Sequence, residues 1–352
     1  MSLLEQLVQA VEEPDQELAP RVQARLDDLT KPPGSMGRLE ELVRWLCLAR
    51  GSLELEQPRP AVAVFAADHG VALSGVSPYP REVTAQMVLN FLAGGACINA
   101  LAGQAGAVVK VVDVGVDADF EDPTGLVQAK VARGTANFLE GPAMTGEECL
   151  QALEVGARVA GDLVDEGHDL LVPGDMGIGN TTASSALAAV FTGQPPERVT
   201  GRGTGLDDQG LARKVEVIKQ ALDRHRPDPA RPLEVLQCLG GLEIAAICGF
   251  VLAAAGRRVP VILDGLISVA GAMVASRLCP AVGAYLQAGH ASVEVGQGAM
   301  LAEMGLRPLL DLDLRLGDGT GGALALGLVR SAVAMYNQMA TFASAGVSDR
   351  EG

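Results

Sequence analysis

Three aspartates, Asp68, Asp175 and Asp264, each stand near the end of an apolar run in the sequence, and a glycine follows each within two residues. If these runs are parallel strands, their carboxyl ends meet at one edge of a sheet, which is where such sheets bind ligands. A single aspartate in this place commonly caps a helix or forms a turn. Three of them together predict a shared site.

The segment 174–182, GDMGIGNTT, has the residue types of an anion site. Gly177 and Gly179 allow backbone N–H groups to approach a ligand closely, and Asn180 and Thr181 open a predicted helix whose N-terminus attracts anions. A phosphate or a carboxylate fits this pattern. The alternative is plain capping of the helix by its polar side chains.

A second glycine loop stands at 201–205 and precedes a predicted helix that starts at Asp207. Gly203 and Gly205 belong to the loop, and Lys214 lies about two turns into the helix. A lysine beside such a loop can neutralise a phosphate. An exposed helix lysine is the equal alternative.

The segment 314–326, LRLGDGTGGALAL, places Asp318 between two glycines at the start of an Ala/Leu-rich helix. Taken alone, Asp318 is an ordinary helix cap. Glu294 and Gln297 lie near His290 in a further polar segment. These residues become informative only when they are considered with the other loops.

Strands and helices alternate along the chain, which predicts βαβ units and a parallel sheet flanked by helices. Continuous apolar runs, typical of strands buried on both faces, occupy 61–67, 107–115, 170–177 and 259–265. Helical spacing marks 82–104, 147–166, 207–223, 240–255, 266–278 and about 321–342. The first ~50 residues are also predicted to be helical, with a loop over 30–35.

Charge and composition exclude several function classes. The chain has 27 Lys plus Arg against 43 Asp plus Glu, a net charge of −16, which argues against a surface for nucleic acid or anionic membranes. Its start lacks the basic residues of a signal peptide, and no charge-free apolar run reaches ~18 residues. None of the six cysteines forms a CxxC pair, and no zinc site is predicted. We therefore expect a cytoplasmic protein that acts on small molecules.

Taken together, these motifs resemble the family of nicotinate-nucleotide:dimethylbenzimidazole phosphoribosyltransferases. The resemblance covers nearly the whole chain and rests on LTKPPGSMGRLEEL (29–42), AADHGV (66–71), VTAQMVLNFLAGGACIN (83–99), GDMGIGNTT (174–182), GTGLDD (203–208), LDG (263–265) and LRLGDGTGGALAL (314–326). It implies a large Rossmann-like α/β domain, here 56–324. A small helical domain is expected from 1–55 plus 325–352.

The resemblance also implies a reaction. Ribose 5-phosphate moves from nicotinate mononucleotide to 5,6-dimethylbenzimidazole, which gives α-ribazole 5′-phosphate and nicotinate for the nucleotide loop of cobalamin. Family members are homodimers and need neither a metal nor another cofactor. Asp318 occupies the position of the general base, and Asp175 is expected to help place the ribose or the base. The expected substrate-binding residues are Ser77, Tyr79, Gln86, Gly177, Gly179, Asn180, Thr181, Gly203, Gly205, Lys214 and Asp264.

This chain departs from the family pattern at two carboxylates, since Asp175 and Asp318 stand where the family usually has glutamate. Each side chain is shorter by roughly 1–1.5 Å, and a 1 Å misplacement can cost ~100-fold in rate. Two alternatives follow, namely a paralogue that acts on a different base or a weakly active or regulatory subunit. Ser77, Tyr79 and Gln86, expected near the base, could equally be ordinary packing residues.

Overall fold

The structure is a computed structural model that describes residues 2–121 and 124–348. Its strands are β1 Pro60–Ala67, β2 Val108–Gly115, β3 Leu126–Gln128, β4 Leu170–Met176, β5 Val261–Leu263, β6 Leu286–Ala288, β7 His290–Ser292 and β8 Leu310–Leu314. Its α-helices are α1 Leu3–Ala10, α2 Leu18–Asp28, α3 Arg38–Arg50, α4 Val83–Leu92, α5 Cys97–Ala105, α6 Gly146–Asp165, α7 Asn180–Thr192, α8 Pro196–Val199, α9 Asp208–His225, α10 Pro232–Leu239, α11 Leu242–Gly256, α12 Leu266–Leu278, α13 Val295–Glu303, α14 Thr320–Gln338 and α15 Phe342–Ala345. Short 3₁₀ helices occupy Gly70–Ser74 and Pro280–Tyr285.

Six strands form one parallel sheet in the order β3-β2-β1-β4-β5-β6. The chain builds outward from β1 in one direction through β2 and β3, then crosses back and builds in the other direction from β4. The order therefore reverses between β1 and β4, and the crevice outside the carboxyl ends at such a reversal is where ligands bind. This confirms the predicted Rossmann-like fold.

Alternate side chains of β1 enter two separate cores. Ala61, Ala63 and Phe65 belong to the cluster under α6, α11 and α12. Val62 and Val64, which face the other way, belong to the cluster under α3, α5 and α14. Because both faces are covered, every residue of β1 is buried, as expected for a parallel strand.

The predicted helix 82–104 is in fact two helices, α4 and α5. Gly94 has a φ of +74°, which ends the first helix. A side chain at Gly95 would lie 2.4 Å from Asn90 Oδ1. The segment Val83–Ala105 is long and apolar enough to cross a membrane by length and composition. The break between the two helices and the burial of Val88 and Ile98 show that it serves as a pair of core helices here.

Helices from both ends of the chain pack together, since α3 contacts α14 and a β-bridge joins Leu29 to Thr341. Their apolar side chains share one cluster with Val62 of the sheet. The division into 1–55 plus 325–352 and 56–324 stays a prediction, and residues 349–352 lie outside the described residues.

Three-residue strands are the main elements that sequence reasoning missed. β3 and β6 are too short to give an apolar run of their own. The small parallel pair β7–β8 also escaped, because β8 is largely exposed and contains two aspartates. It carries the segment between Leu310 and Asp318 back toward the sheet.

Candidate active site

An open cavity lies at the carboxyl ends of β1, β4 and β5, beside the reversal in strand order. Its wall is formed by three glycine-rich loops and by one face of α4. The lining residues are Met87, Phe91, Asp175, Met176, Gly177, Ile178, Asn180, Thr181, Gly203, Thr204, Gly265, Leu266, Ile267, His290, Ser292, Glu294, Arg315, Leu316, Gly317 and Asp318.

The cavity brings together six of the sequence-predicted site residues, namely Asp175, Gly177, Asn180, Thr181, Gly203 and Asp318. They come from loops that are far apart in sequence but adjacent at the edge of the sheet. Parallel pairing explains this result, because it aligns the ends of all the strands.

The other predicted residues lie outside the lining. Lys214 and Asp264 are fully buried, and Gly179 packs against the 3₁₀ turn after β1. Tyr79 is 51% exposed and faces a separate cleft with Asp68. Ser77 accepts a hydrogen bond from the Tyr79 N–H (3.2 Å). Gln86 is exposed on α4, one residue from the lining Met87, and Gly205 is exposed in its loop.

Asp175 projects from the end of β4 and is 5% exposed. Its Oδ2 accepts a hydrogen bond from Asn180 Nδ2 (2.9 Å), while Oδ1 has no protein partner. Burial raises the pKa of Asp175 well above its usual range, and the carboxylates of Asp264, Glu243 and Asp318 raise it further. A carboxyl in this environment holds a proton near neutral pH and can donate it to a ligand.

Asp318 lies in a strained turn. Gly317, Asp318 and Gly319 have φ values of +86°, +60° and +94°, a region that Asp tolerates better than most side chains. The turn packs directly on β4, since a Cβ at Gly174 would lie 2.4 Å from Asp318 O. The Asp318 carboxylate accepts from the backbone N–H of Thr320 (3.1 Å) and from its hydroxyl. Burial is the main cause that raises the pKa of Asp318 to about 7, and the Thr320 bonds oppose it.

Asp264 holds this turn in place. Its Oδ2 accepts the N–H of Gly319 (3.0 Å) and its Oδ1 accepts the N–H of Gly322 (2.9 Å). Burial raises the pKa of Asp264 to about 6, and the backbone hydrogen bonds limit the rise. The carboxylate therefore holds the first turn of α14 against β5 and fixes the position of Asp318.

The glycine loop at 201–205 rests on a buried lysine. Lys214 Nζ donates to Thr181 Oγ1 (2.9 Å) and to Gly201 O (3.1 Å), and full burial excludes the exposed-lysine alternative. Burial lowers the pKa of Lys214 to about 8, against the effect of Glu294. Glu294 Oε1 in turn accepts the N–H of Gly203 (2.7 Å). The loop is thus held from below by both a cation and a carboxylate.

Arg315 is the lining residue that sequence reasoning missed most clearly. Its Nη1 donates to Gly203 O (3.1 Å) and so joins the loop at 201–205 to the Asp318 turn. The signal was present, since Arg315 stands three residues before Asp318 in the same motif. Gln297, which donates to Asp264 O and His290 O (3.0 Å each), was noted but given no role.

The arrangement combines three chemical properties. Asp175 and Asp318 supply paired carboxyl groups with raised pKa values. Arg315 and the helix N-termini beside the glycine loops suit a phosphate. The apolar side chains Met87 and Phe91 suit a flat aromatic ring. A site of this kind fits proton abstraction from an aromatic nitrogen beside a phosphorylated sugar.

Comparison with known proteins agrees with this chemistry. A family model described as phosphoribosyltransferase (DBI_PRT) matches residues 11–347. A nicotinate-nucleotide–dimethylbenzimidazole phosphoribosyltransferase of Geobacter sulfurreducens is 53% identical over 349 residues, 99% of each chain. A protein of the same name from Chloroflexus aggregans is 52% identical over 351 residues, covering 100% of this chain and 99% of the relative. The crystal structure of CobT from Thermus thermophilus superposes with a TM-score of 0.91 at 49% identity, covering 95% of this chain and 100% of that one. The chain belongs to the phosphoribosyltransferase family that this model describes.

Proposed function

We propose that this enzyme transfers ribose 5-phosphate from nicotinate mononucleotide to 5,6-dimethylbenzimidazole, giving α-ribazole 5′-phosphate and nicotinate. The relatives that carry this activity in their names match the chain over its full length. The observation that carries the proposal is the buried Asp318 carboxylate at the wall of a cavity that also holds Arg315 and two glycine loops.

Asp318 acts as the general base. Neutral benzimidazole carries one N–H, and removal of that proton raises the nucleophilicity of its other nitrogen. The proton passes to the Asp318 carboxylate as the free nitrogen bonds to C1′ of the ribose and the bond from C1′ to nicotinate breaks. A pKa of about 7 suits this role, because the group is then both ionised and basic at neutral pH.

Attack from the face opposite nicotinate inverts C1′ and converts the β-nucleotide to an α-product. Asp175, held by Asn180, is placed to donate a hydrogen bond to the ribose or the base. Lys214 stiffens the phosphate loop at 201–205 from beneath, while Arg315 reaches the phosphate from the cavity. Asp264 acts indirectly, through the turn that carries Asp318.

The alternatives of another acceptor base or a regulatory subunit are not favoured. Relatives at about half identity and full coverage are consistently named for dimethylbenzimidazole. The shorter carboxylates also lie in a closely packed turn, where Gly174 lets the Asp318 backbone approach β4. The backbone can therefore supply part of the reach that the side chain lacks.

We further propose a cytoplasmic homodimer that binds small molecules only, with neither nucleic acid nor a membrane as partner. Four exposed aliphatic side chains at the cavity rim support an interface there: Val293, Val295, Leu312 and Leu316 are 44%, 50%, 53% and 61% exposed. The net charge of −16 supports the exclusion of polyanionic partners.

The test is direct transfer by the purified chain. The protein is incubated with nicotinate mononucleotide and 5,6-dimethylbenzimidazole, and the product is identified by mass and by the NMR coupling of its anomeric proton. Adenine and phenol serve as competing acceptors. A product with the β configuration, or faster transfer to a competing acceptor, would contradict the proposal. Light scattering of the same sample reports the oligomeric state.

A further inference from the structure

A buried histidine–glutamate pair lies directly behind the cavity and has no role in the mechanism above. His69 Nε2 is 2.7 Å from Glu243 Oε1, and both side chains are 0% exposed. His69 follows β1, and Glu243 is the acidic residue in the first turn of α11. The remaining atoms, His69 Nδ1 and Glu243 Oε2, have no hydrogen-bond partner.

The pair supports a wall of the cavity. A Cβ at Gly179 would lie 3.2 Å from His69 Cβ, and one at Gly177 would lie 3.5 Å from His69 Cδ2. On its other side, a Cβ at Gly241 would lie 2.3 Å from His69 Cε1 and 2.7 Å from Glu243 Oε2. Three glycines thus allow the imidazole to fill the space between the Gly177–Gly179 loop and the start of α11.

The pair also acts on the site electrostatically. The groups that face Asp175 are Asp264 at the end of β5, Asp318 before α14, Asn180 at the start of α7 and Glu243 of α11. Arg315 and His290 line the same cavity. Among the described residues that ion-pair or hydrogen-bond with the His69 side chain, Glu243 is the partner.

We infer that His69 and Glu243 form an imidazolium–carboxylate positioning pair for the transfer reaction. The ring holds the Gly177–Gly179 loop from behind, and its proton cancels the Glu243 charge that Asp175 would otherwise face. Burial of both charges is costly and is weak evidence for a purely stabilising role. The inference rests on the proposed function, because it assigns the pair to the site that contains Asp175.

The test compares the acid limb of the pH profile of kcat/KM in three variants. His69→Gln leaves Glu243 uncompensated, so the pKa of Asp175 rises and the midpoint moves upward by about one pH unit. Glu243→Gln removes the carboxylate, the buried imidazole loses its proton, and the midpoint stays at the wild-type value. The double variant carries no charge at either position and also returns to that value.

A loss of rate with an unmoved midpoint in all three variants would show a merely structural role and overturn the inference. A midpoint that stays in His69→Gln but falls in Glu243→Gln would show a neutral imidazole and overturn it as well. Wild-type protein that transfers nothing would instead refute the proposed function.

A second measurement does not depend on the folding of a variant or on turnover. The ¹⁵N shifts of the four histidines in the wild-type protein are recorded at pH 7.5, and the His69 signals are identified by replacing each of the other three. Protonation of both His69 nitrogens is expected. A neutral tautomer would overturn the inference whatever the pH profiles show.

Discussion

Replacement of Asp318 by asparagine tests the base and its environment together. The amide has the same shape, and Asn tolerates the positive φ of this position at least as well as Asp. General-base catalysis is worth 10²- to 10⁴-fold, so kcat should fall by about that amount. Binding of nicotinate mononucleotide should change little, because the lost interaction belongs to the transition state.

The same substitution should stabilise the fold, and the size of the effect follows from the pKa. Burial raises the pKa of Asp318 from 3.8 to about 7. At ~1.4 kcal/mol per unit, ionisation of the folded protein at pH 8 costs up to ~4 kcal/mol. About half of this, ~2 kcal/mol, is expected in practice, because the amide is a weaker acceptor for the Thr320 hydroxyl.

The sign of the pH dependence is fixed by the raised pKa. The folded protein binds this proton more tightly than the unfolded chain, so the free energy of unfolding falls as pH rises from about 4 to about 7. Asp318→Asn removes that dependence. At ~2 cal/mol/K per residue, ~2 kcal/mol corresponds to about 3 °C in Tm for this chain, visible at pH 8 and nearly absent at pH 4.5.

Asp313→Asn is a matched control, since Asp313 also has a positive φ (+54°) but is exposed on β8. It should change Tm by less than ~1 °C at either pH. Thermal melts of the three proteins at equal concentration are compared at pH 4.5 and pH 8. An Asp318→Asn shift that is the same at both pH values would refute the buried-carboxylate argument, and unchanged kcat would refute the base assignment.

Four further predictions concern the same site. Lys214→Ala leaves Thr181 Oγ1 and Gly201 O without their charged donor, so KM for nicotinate mononucleotide should rise roughly 10- to 150-fold; an effect on KM for the base alone would contradict this. Arg315→Ala should raise the same KM by a similar factor, and a salt-independent KM in the variant would support loss of a phosphate contact. Asp318→Glu should fold with a Tm lower by a few degrees, because glutamate is less suited to φ near +60°; if kcat rises nonetheless, side-chain reach limits the natural enzyme. EDTA should leave turnover unchanged, since side chains supply the positive charge, and Mg²⁺-restored activity would argue otherwise.

The sheet and the site loops were predictable because their signals are local. Each long apolar run gave a strand, and the glycine loops that follow β4 and precede α9 and α14 gave six of the lining residues. Lys214 was singled out, but its full burial was not predictable, because helix periodicity does not show what covers a face. Ser77, Tyr79 and Gln86 were placed by order along the chain, and the structure puts them beside the cavity or on another cleft. Their role in binding the base stays a prediction.

What could not be predicted is the set of contacts between loops. Asp264 resembles a turn residue in the sequence, yet its carboxylate accepts two amides from a segment 55 and 58 residues away. The bond from Arg315 to Gly203 spans 112 residues. Such contacts depend on the strand order, which periodicity does not give.

The carboxylate of Asp264 also makes the active-site turn a reporter of ligand binding. The amide hydrogens of Gly319 and Gly322 are bonded to a group on another strand, so they can exchange with solvent only when α14 lifts from β5. A substrate that binds only the closed arrangement opposes this opening by RT ln(1 + [L]/Kd). The exchange rates of two backbone amides therefore measure substrate affinity in a protein that is not turning over, including variants that have lost the base.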